Sequence, residues 1–145
     1  MPQVDELIKL SNRFFTDHWN SKEFQPPEWK EWNFCGSIPN GDLPGCYALC
    51  YDNRVKYVGI GIRKGAGIYQ NCGLGYRLHK YWRVLNSKAQ PVLYKPSPAF
   101  EGKIDKIMTI GFQMYPYLAA ALEVYLISNL KPDMNVIYNF KELDN

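Results

Sequence analysis

The stretch that decides the fold is Gly45-Cys-Tyr-Ala-Leu-Cys-Tyr-Asp-Asn-Arg-Val-Lys-Tyr-Val-Gly59, GCYALCYDNRVKYVG in one-letter code. The β-formers Tyr47, Tyr51, Val55, Tyr57 and Val58 flank Asp52-Asn53, a pair suited to a turn, so the stretch reads as a β-hairpin. Side chains alternate along a strand, and directly paired residues share a face. A three-residue loop over 52–54 pairs Tyr51 with Val55 and puts Tyr47 and Tyr57 on one side, whereas a two-residue loop puts them on opposite sides. The expectation is an odd-numbered turn. An ordinary hairpin needs neither the Gly-x-Tyr that opens this stretch nor the Tyr-x-Gly that closes it.

Downstream, the glycine-rich residues 60–73, IGIRKGAGIYQNCG, read as a loop. Leu74, Leu78, Tyr81, Trp82 and Leu85 then follow helical spacing, with Arg77, Lys80, Arg83 and Lys88 beside the apolar stripe. Lys103 to Phe112 reads as a third strand, and Pro116 to Leu130 as a helix that stops before Lys131-Pro132. Upstream, Val4, Leu7, Ile8, Phe14, Phe15 and Trp19 mark an amphipathic helix from Val4 to about Trp19. Residues 20–44, with four prolines and the aromatics Trp29, Trp32 and Phe34, read as an irregular arm packed by those rings.

A chain of 145 residues supports one core, so residues 1–44 are expected to pack on residues 45–145 as one structural unit. With 46% apolar and 21% charged residues, it is globular rather than disordered. No secretory signal is read at the N-terminus, which makes an intracellular, cytoplasmic protein the expectation. The weakly charged run Met108–Leu130 is interrupted by Gly111, Gln113, Pro116, Ser128 and Asn129, and reads as a strand and a buried helix rather than a membrane span. Cys35, Cys46, Cys50 and Cys72, with His18 and His79, form no zinc-ligand spacing and read as reduced thiols.

The net charge of +3 is unevenly distributed. Residues 1–53 carry four basic and eight acidic side chains, residues 54–106 eleven and two, and residues 107–145 two and four. Such segregation favours a side that faces a polyanion. Within Met108–Leu130 the one charged residue is Glu123, set among leucines. A carboxylate there is costly to desolvate unless a cation, a metal or hydrogen-bond donors meet it, so Glu123 is a site candidate on its own account.

Taken in order, these residues resemble the GIY-YIG nuclease family. The two name-giving tripeptides are Gly45-Cys46-Tyr47 and Tyr57-Val58-Gly59. Leu74-x-x-Arg77-Leu78-x-x-Tyr81 is similar to the family's arginine helix, and Leu122-Glu123-x-x-Leu126-Ile127-x-x-Leu130-x-Pro132-x-x-Asn135 to its closing glutamate helix and asparagine. The resemblance runs from Gly45 to Asn135. It departs from the family at Cys46, where isoleucine is usual, and in a longer interval between Gly59 and Arg77, which leaves Arg63 as a rival for the arginine's role. The implied fold is α+β, a small three-stranded antiparallel sheet flanked by helices.

The resemblance implies a metal-dependent endonuclease that hydrolyses DNA by a one-metal mechanism, with RNA not excluded as substrate. Glu123 is expected to hold Mg²⁺ or Mn²⁺, and Arg77 to donate to non-bridging phosphate oxygens. Tyr47 is expected to orient or deprotonate the attacking water, Tyr57 to hold the phosphate or the metal's water shell, and Asn135 to fix the geometry. A phenol is a poor base at neutral pH, so deprotonation by Tyr47 needs nearby positive charge, from Lys56, Arg63 or Lys64. Nucleic-acid contacts are expected from Arg63, Lys64, His79, Lys80, Tyr81, Arg83 and Lys88. A double-strand cut needs a homodimer or two successive events. Two other readings compete: a catalytically inactive nucleic-acid-binding module on the same fold, and a protein-interaction domain built on the aromatic arm.

Overall fold

The computed structural model describes residues 2–62 and 73–137. In chain order the elements are α1 (Val4–His18), β1 (Lys30–Trp32), β2 (Gly45–Tyr51), β3 (Arg54–Gly61), α2 (Gly73–Leu78), a 3₁₀ turn (His79–Tyr81), β4 (Trp82–Asn86), β5 (Leu93–Pro96), a second 3₁₀ turn (Pro98–Phe100), β6 (Lys106–Gly111) and α3 (Tyr117–Leu130). The class is α+β with antiparallel sheets, but among the described residues the main sheet has four strands rather than three, in the order β1-β6-β2-β3. The added strand, β1, comes from the arm read as irregular. Trp32 pairs with Ile107 and is its one buried residue, so a three-residue edge strand left no alternation to detect.

The hairpin corrects the expected turn. Tyr51 pairs with Arg54, not Val55, across a two-residue turn in which Asp52 and Asn53 have φ of 51° and 59°. Two left-handed residues, Asp and Asn, suit a type I′ turn, whose twist matches that of the strands. By itself this turn would place Tyr47 and Tyr57 on opposite faces. The register then shifts: Cys50 pairs with Val55 and Leu49 with Tyr57, so Lys56 is the extra residue of a β-bulge. The bulge returns Tyr57 to the face that carries Leu49 and Tyr47.

That face packs against α2 and the turn after it, through Leu49, Ile107, Leu74, Leu78 and Tyr81. The opposite face, with Cys46, Ala48, Val58 and Met108, packs against Leu7, Phe14 and Phe15 of α1 and Leu122 and Leu126 of α3. The α1 helix ends at His18, with Trp19 as its C-cap, and is tied to the hairpin turn by Val55 N–H donating to Pro2 O at 2.8 Å. Trp29 Nε1 donates to Ser11 Oγ at 2.8 Å, which fastens the arm to α1. After Leu130, Lys131 takes a left-handed conformation (φ 52°) and its N–H caps Ile127 O. Pro132 cannot continue the helix.

The helix expected over Leu74–Leu85 stops short. α2 ends at Leu78, Tyr81 closes a 3₁₀ turn, and Trp82 begins a two-stranded ribbon with β5. Arg83 and the segment leading to Lys88 therefore leave the helix, and Leu85 is 59% exposed instead of buried. Local spacing is overridden here by aromatic packing, since Trp82 and Tyr94 stack against each other and against Trp32 at centroid distances of 4.9–6.4 Å. Strand β3 continues through Ile60 and Gly61, and the rest of the expected loop, with Arg63 and Lys64, lies outside the described residues. No helix among the described residues is long and apolar enough to cross a membrane.

Candidate active site

Steric facts explain the glycines of the two tripeptides. A Cβ on Gly45 would overlap the carbonyl oxygen of Ile110 on β6, so only glycine allows the close approach of β2 and β6 there. A Cβ on Gly59 would lie within 2.7 Å of three atoms of the Tyr47 ring, Cζ, Oη and Cε1. Gly59 is directly paired with Tyr47, and its missing side chain is the space the phenol occupies.

Tyr47 is wholly buried. Its Oη lies 3.0 Å from Tyr81 Oη, and the Arg77 guanidinium is near enough to favour the ionised phenol. Burial, followed by the neighbouring Tyr81 phenol, pushes the Tyr47 phenol well above its usual range, and the nearby Arg77 offsets this only in part. Tyr81, expected to touch phosphate, is instead buried beneath the surface as Tyr47's partner, with its own phenol raised by burial. Cys46, whose neighbours on the strand point to this face, itself points the other way, and its Sγ donates to Ala119 O at 3.1 Å beside Glu123.

Glu123 belongs to α3, on the opposite face of the sheet from Tyr47. The two faces meet at β3, the edge strand. Around that edge a cavity of about 440 Å³ is lined by Tyr57, Arg77, Glu123 and Asn135, with Ile127 and the apolar Met134, Val136 and Ile137. Arg77 comes from α2 and leans over the end of β3, its Cβ beside Gly61. Burial raises the Glu123 pKa above the ordinary carboxylate value, and the Arg77 guanidinium counters part of that rise. Among the described residues that line the cavity, Glu123 is the sole carboxylate and Arg77 the sole cation.

Asn135 is buried and holds the edge of β3 as a strand would. Val58 N–H donates to Asn135 Oδ1 at 2.9 Å, and Asn135 Nδ2 donates to Val58 O at 2.9 Å. Met134 N–H adds a bond to Lys56 O at 3.0 Å. These bonds satisfy the bulged edge and bring Val136 and Ile137, 86% and 71% exposed, to the cavity's rim. Sequence reasoning missed this apolar wall, for which two adjoining hydrophobic residues after Asn135 were the one signal.

The structure thus brings Tyr57, Arg77, Glu123 and Asn135 to one cavity and leaves Tyr47 behind it, linked through Arg77. His79 and Lys80 are exposed on the turn that follows α2, and Lys80 lies 5.0 Å from the Tyr81 ring centroid. Burial and the nearby Arg77 charge lower the Lys80 pKa. A second cavity, of about 360 Å³ between the arm and β6, lacks this convergence, since its lining charges Glu28 and Lys30 already pair at 3.7 Å.

Among the described residues no three His, Cys, Asp or Glu side chains cluster as a metal cage. From the described residues the donor set at Glu123 is one carboxylate in an open cavity, which fits a hard divalent ion such as Mg²⁺ that keeps several waters and takes one or two carboxylates plus substrate phosphate. Comparison of the chain with protein-family models, with curated proteins and with solved structures finds no significant match in any of the three.

Proposed function

We propose that the chain is a metal-dependent endonuclease that hydrolyses DNA phosphodiester bonds. The observation that carries this reading is the single cavity in which a phenol, a guanidinium and a half-buried carboxylate from β3, α2 and α3 converge. The ordered motifs from Gly45 to Asn135 point the same way. Phosphodiester hydrolysis needs positive charge for the crowded oxygens of the transition state and a positioned water, and these groups can supply both.

In this reading Glu123 holds Mg²⁺ or Mn²⁺, which when bound supplies Lewis acidity at the phosphate and lowers the pKa of a coordinated water. Arg77, which lines the cavity, donates to the non-bridging oxygens through its several N–H groups. Tyr57 holds phosphate or water with its hydroxyl at the cavity wall. Tyr47 acts as a positioning residue: with its phenol pushed up by burial it keeps its proton at neutral pH, and its hydroxyl, held by Tyr81, sits beside Arg77 and steadies it. Asn135 acts one step back, by holding β3 and the cavity's rim together.

A supercoiled-plasmid nicking assay with Mg²⁺ or Mn²⁺ tests the proposal. Wild type should nick, and Glu123→Ala and Arg77→Ala should each lose most of that activity; equal cleavage by all three would defeat it. The burial of Tyr47 away from the cavity favours a second reading, a nucleic-acid-binding module without catalysis. That reading requires salt-sensitive binding with no cleavage under either metal.

A further inference from the structure

We infer that the β4–β5 ribbon is a docking element for duplex DNA, in which Arg83 and Lys95 grip the phosphate backbone as the ribbon lies in the major groove. The inference rests on the nucleic-acid reading of the cavity and extends it to a second surface. Between Leu74 and Phe100 the sequence has five cations, Arg77, Lys80, Arg83, Lys88 and Lys95, and no acid.

The ribbon divides its side chains by face. Trp82 and Tyr94 turn inward onto Trp32. Arg83, Leu93 and Lys95 are exposed on the other side. Arg83 and Lys95 are directly paired across the two strands. Like charges so placed destabilise a ribbon in water. An anion held between them turns that repulsion into two charge-assisted contacts. Arg83 commits one donor to Trp82 O at 2.8 Å, which leaves four of its five for a ligand.

The ribbon is also built as a fixed extension of the site. Tyr94 N–H donates to Phe34 O at 2.8 Å and Gly36 N–H to Val92 O at 2.8 Å, so residues 34–36 of the arm pair along one edge of β5. Ser97 N–H donates to Tyr81 O at 2.9 Å, which ties the ribbon's base to the residue whose hydroxyl meets Tyr47. No linker separates Arg77 from Arg83 beyond one 3₁₀ turn. A two-stranded ribbon fits the wide major groove of B-form DNA, whereas the deep, narrow major groove of A-form RNA does not admit it. Exposed Leu85 and Leu93 beside the cations are suited to thymine methyl groups there.

The test measures binding of the full chain to a 30-bp DNA duplex by fluorescence anisotropy, without divalent ion, from about 50 to 200 mM salt, the range over which phosphate contacts lose affinity. Arg83→Ala/Lys95→Ala should flatten the slope of log K against log salt by about 1 to 2. It should also weaken binding at low salt on the order of tenfold, while Arg83→Lys/Lys95→Arg keeps the wild-type slope. Weaker binding of wild type to duplex RNA of the same sequence supports the B-form fit. An unchanged slope in the alanine variant, or a wild type that does not bind duplex DNA, overturns the inference. Nicking is read separately: nicking with an unchanged slope rejects the ribbon and keeps the nuclease, whereas a flattened slope without nicking by wild type keeps the ribbon and rejects the nuclease.

Discussion

Replacing Gly59 by alanine should damage the protein through one side chain, that of Tyr47. The added Cβ would stand 2.5 Å from Tyr47 Oη and 2.7 Å from Cε1, well inside contact distance, so ring or strand has to move. The ring is wholly buried and the strand is held by Asn135, so neither moves freely. Overpacking a filled site costs about 1–3 kcal/mol. Shifting the phenol also loosens its bond to Tyr81 and displaces it from Arg77. Urea unfolding should therefore give a loss of about 1–3 kcal/mol for Gly59→Ala. In a Tyr47→Leu background, which removes the crowded atoms, the same substitution should cost under about 0.5 kcal/mol, a coupling of about 0.5–3 kcal/mol between the sites. Nicking should fall with Gly59→Ala, although position 59 does not line the cavity. An equal cost in both backgrounds would show that the glycine serves the backbone rather than the ring, and would refute this account.

Three further outcomes are expected. Burial raises the folded-state pKa of Glu123 above its unfolded value, so its contribution to stability is present at acid pH and lost as pH rises through the folded pKa. Glu123→Gln should then raise the melting temperature at pH 7 relative to wild type, with the gain shrinking towards pH 4, while nicking is lost; no pH dependence in that difference would sink the assignment. Asn135→Ala leaves both Val58 N–H and Val58 C=O without their partner and should destabilise by about 2–4 kcal/mol, with faster amide exchange at Val58 as the specific signature. Tyr47→Phe removes a hydroxyl that bonds Tyr81 and lies near Arg77. It should cost about 1 kcal/mol of stability. It should also lower kcat with little change in KM, and an effect confined to KM would place Tyr47 in substrate binding instead.

Much of this architecture was legible because it is written in neighbours. The Gly45–Gly59 hairpin, the helix that ends before Lys131-Pro132, the amphipathic α1 and the isolation of Glu123 all follow from short-range period, caps and charge. What escaped was whatever depends on contacts between distant segments. β1 is a strand because β6 offers Thr109, Met108 and Ile107 as partners, and β4 is not a helix because Trp32 receives Trp82 and Tyr94.

The shared face of Tyr47 and Tyr57 draws the same line. The order of residues supplied the two tyrosines, the two glycines and the Asp-Asn turn. Only the folded chain settled the register, through a bulge at Lys56 whose open edge is sealed by Asn135, far along the sequence. Alternation and turn length constrain the register but do not locate a bulge, which depends on which backbone groups find partners after the chain has closed.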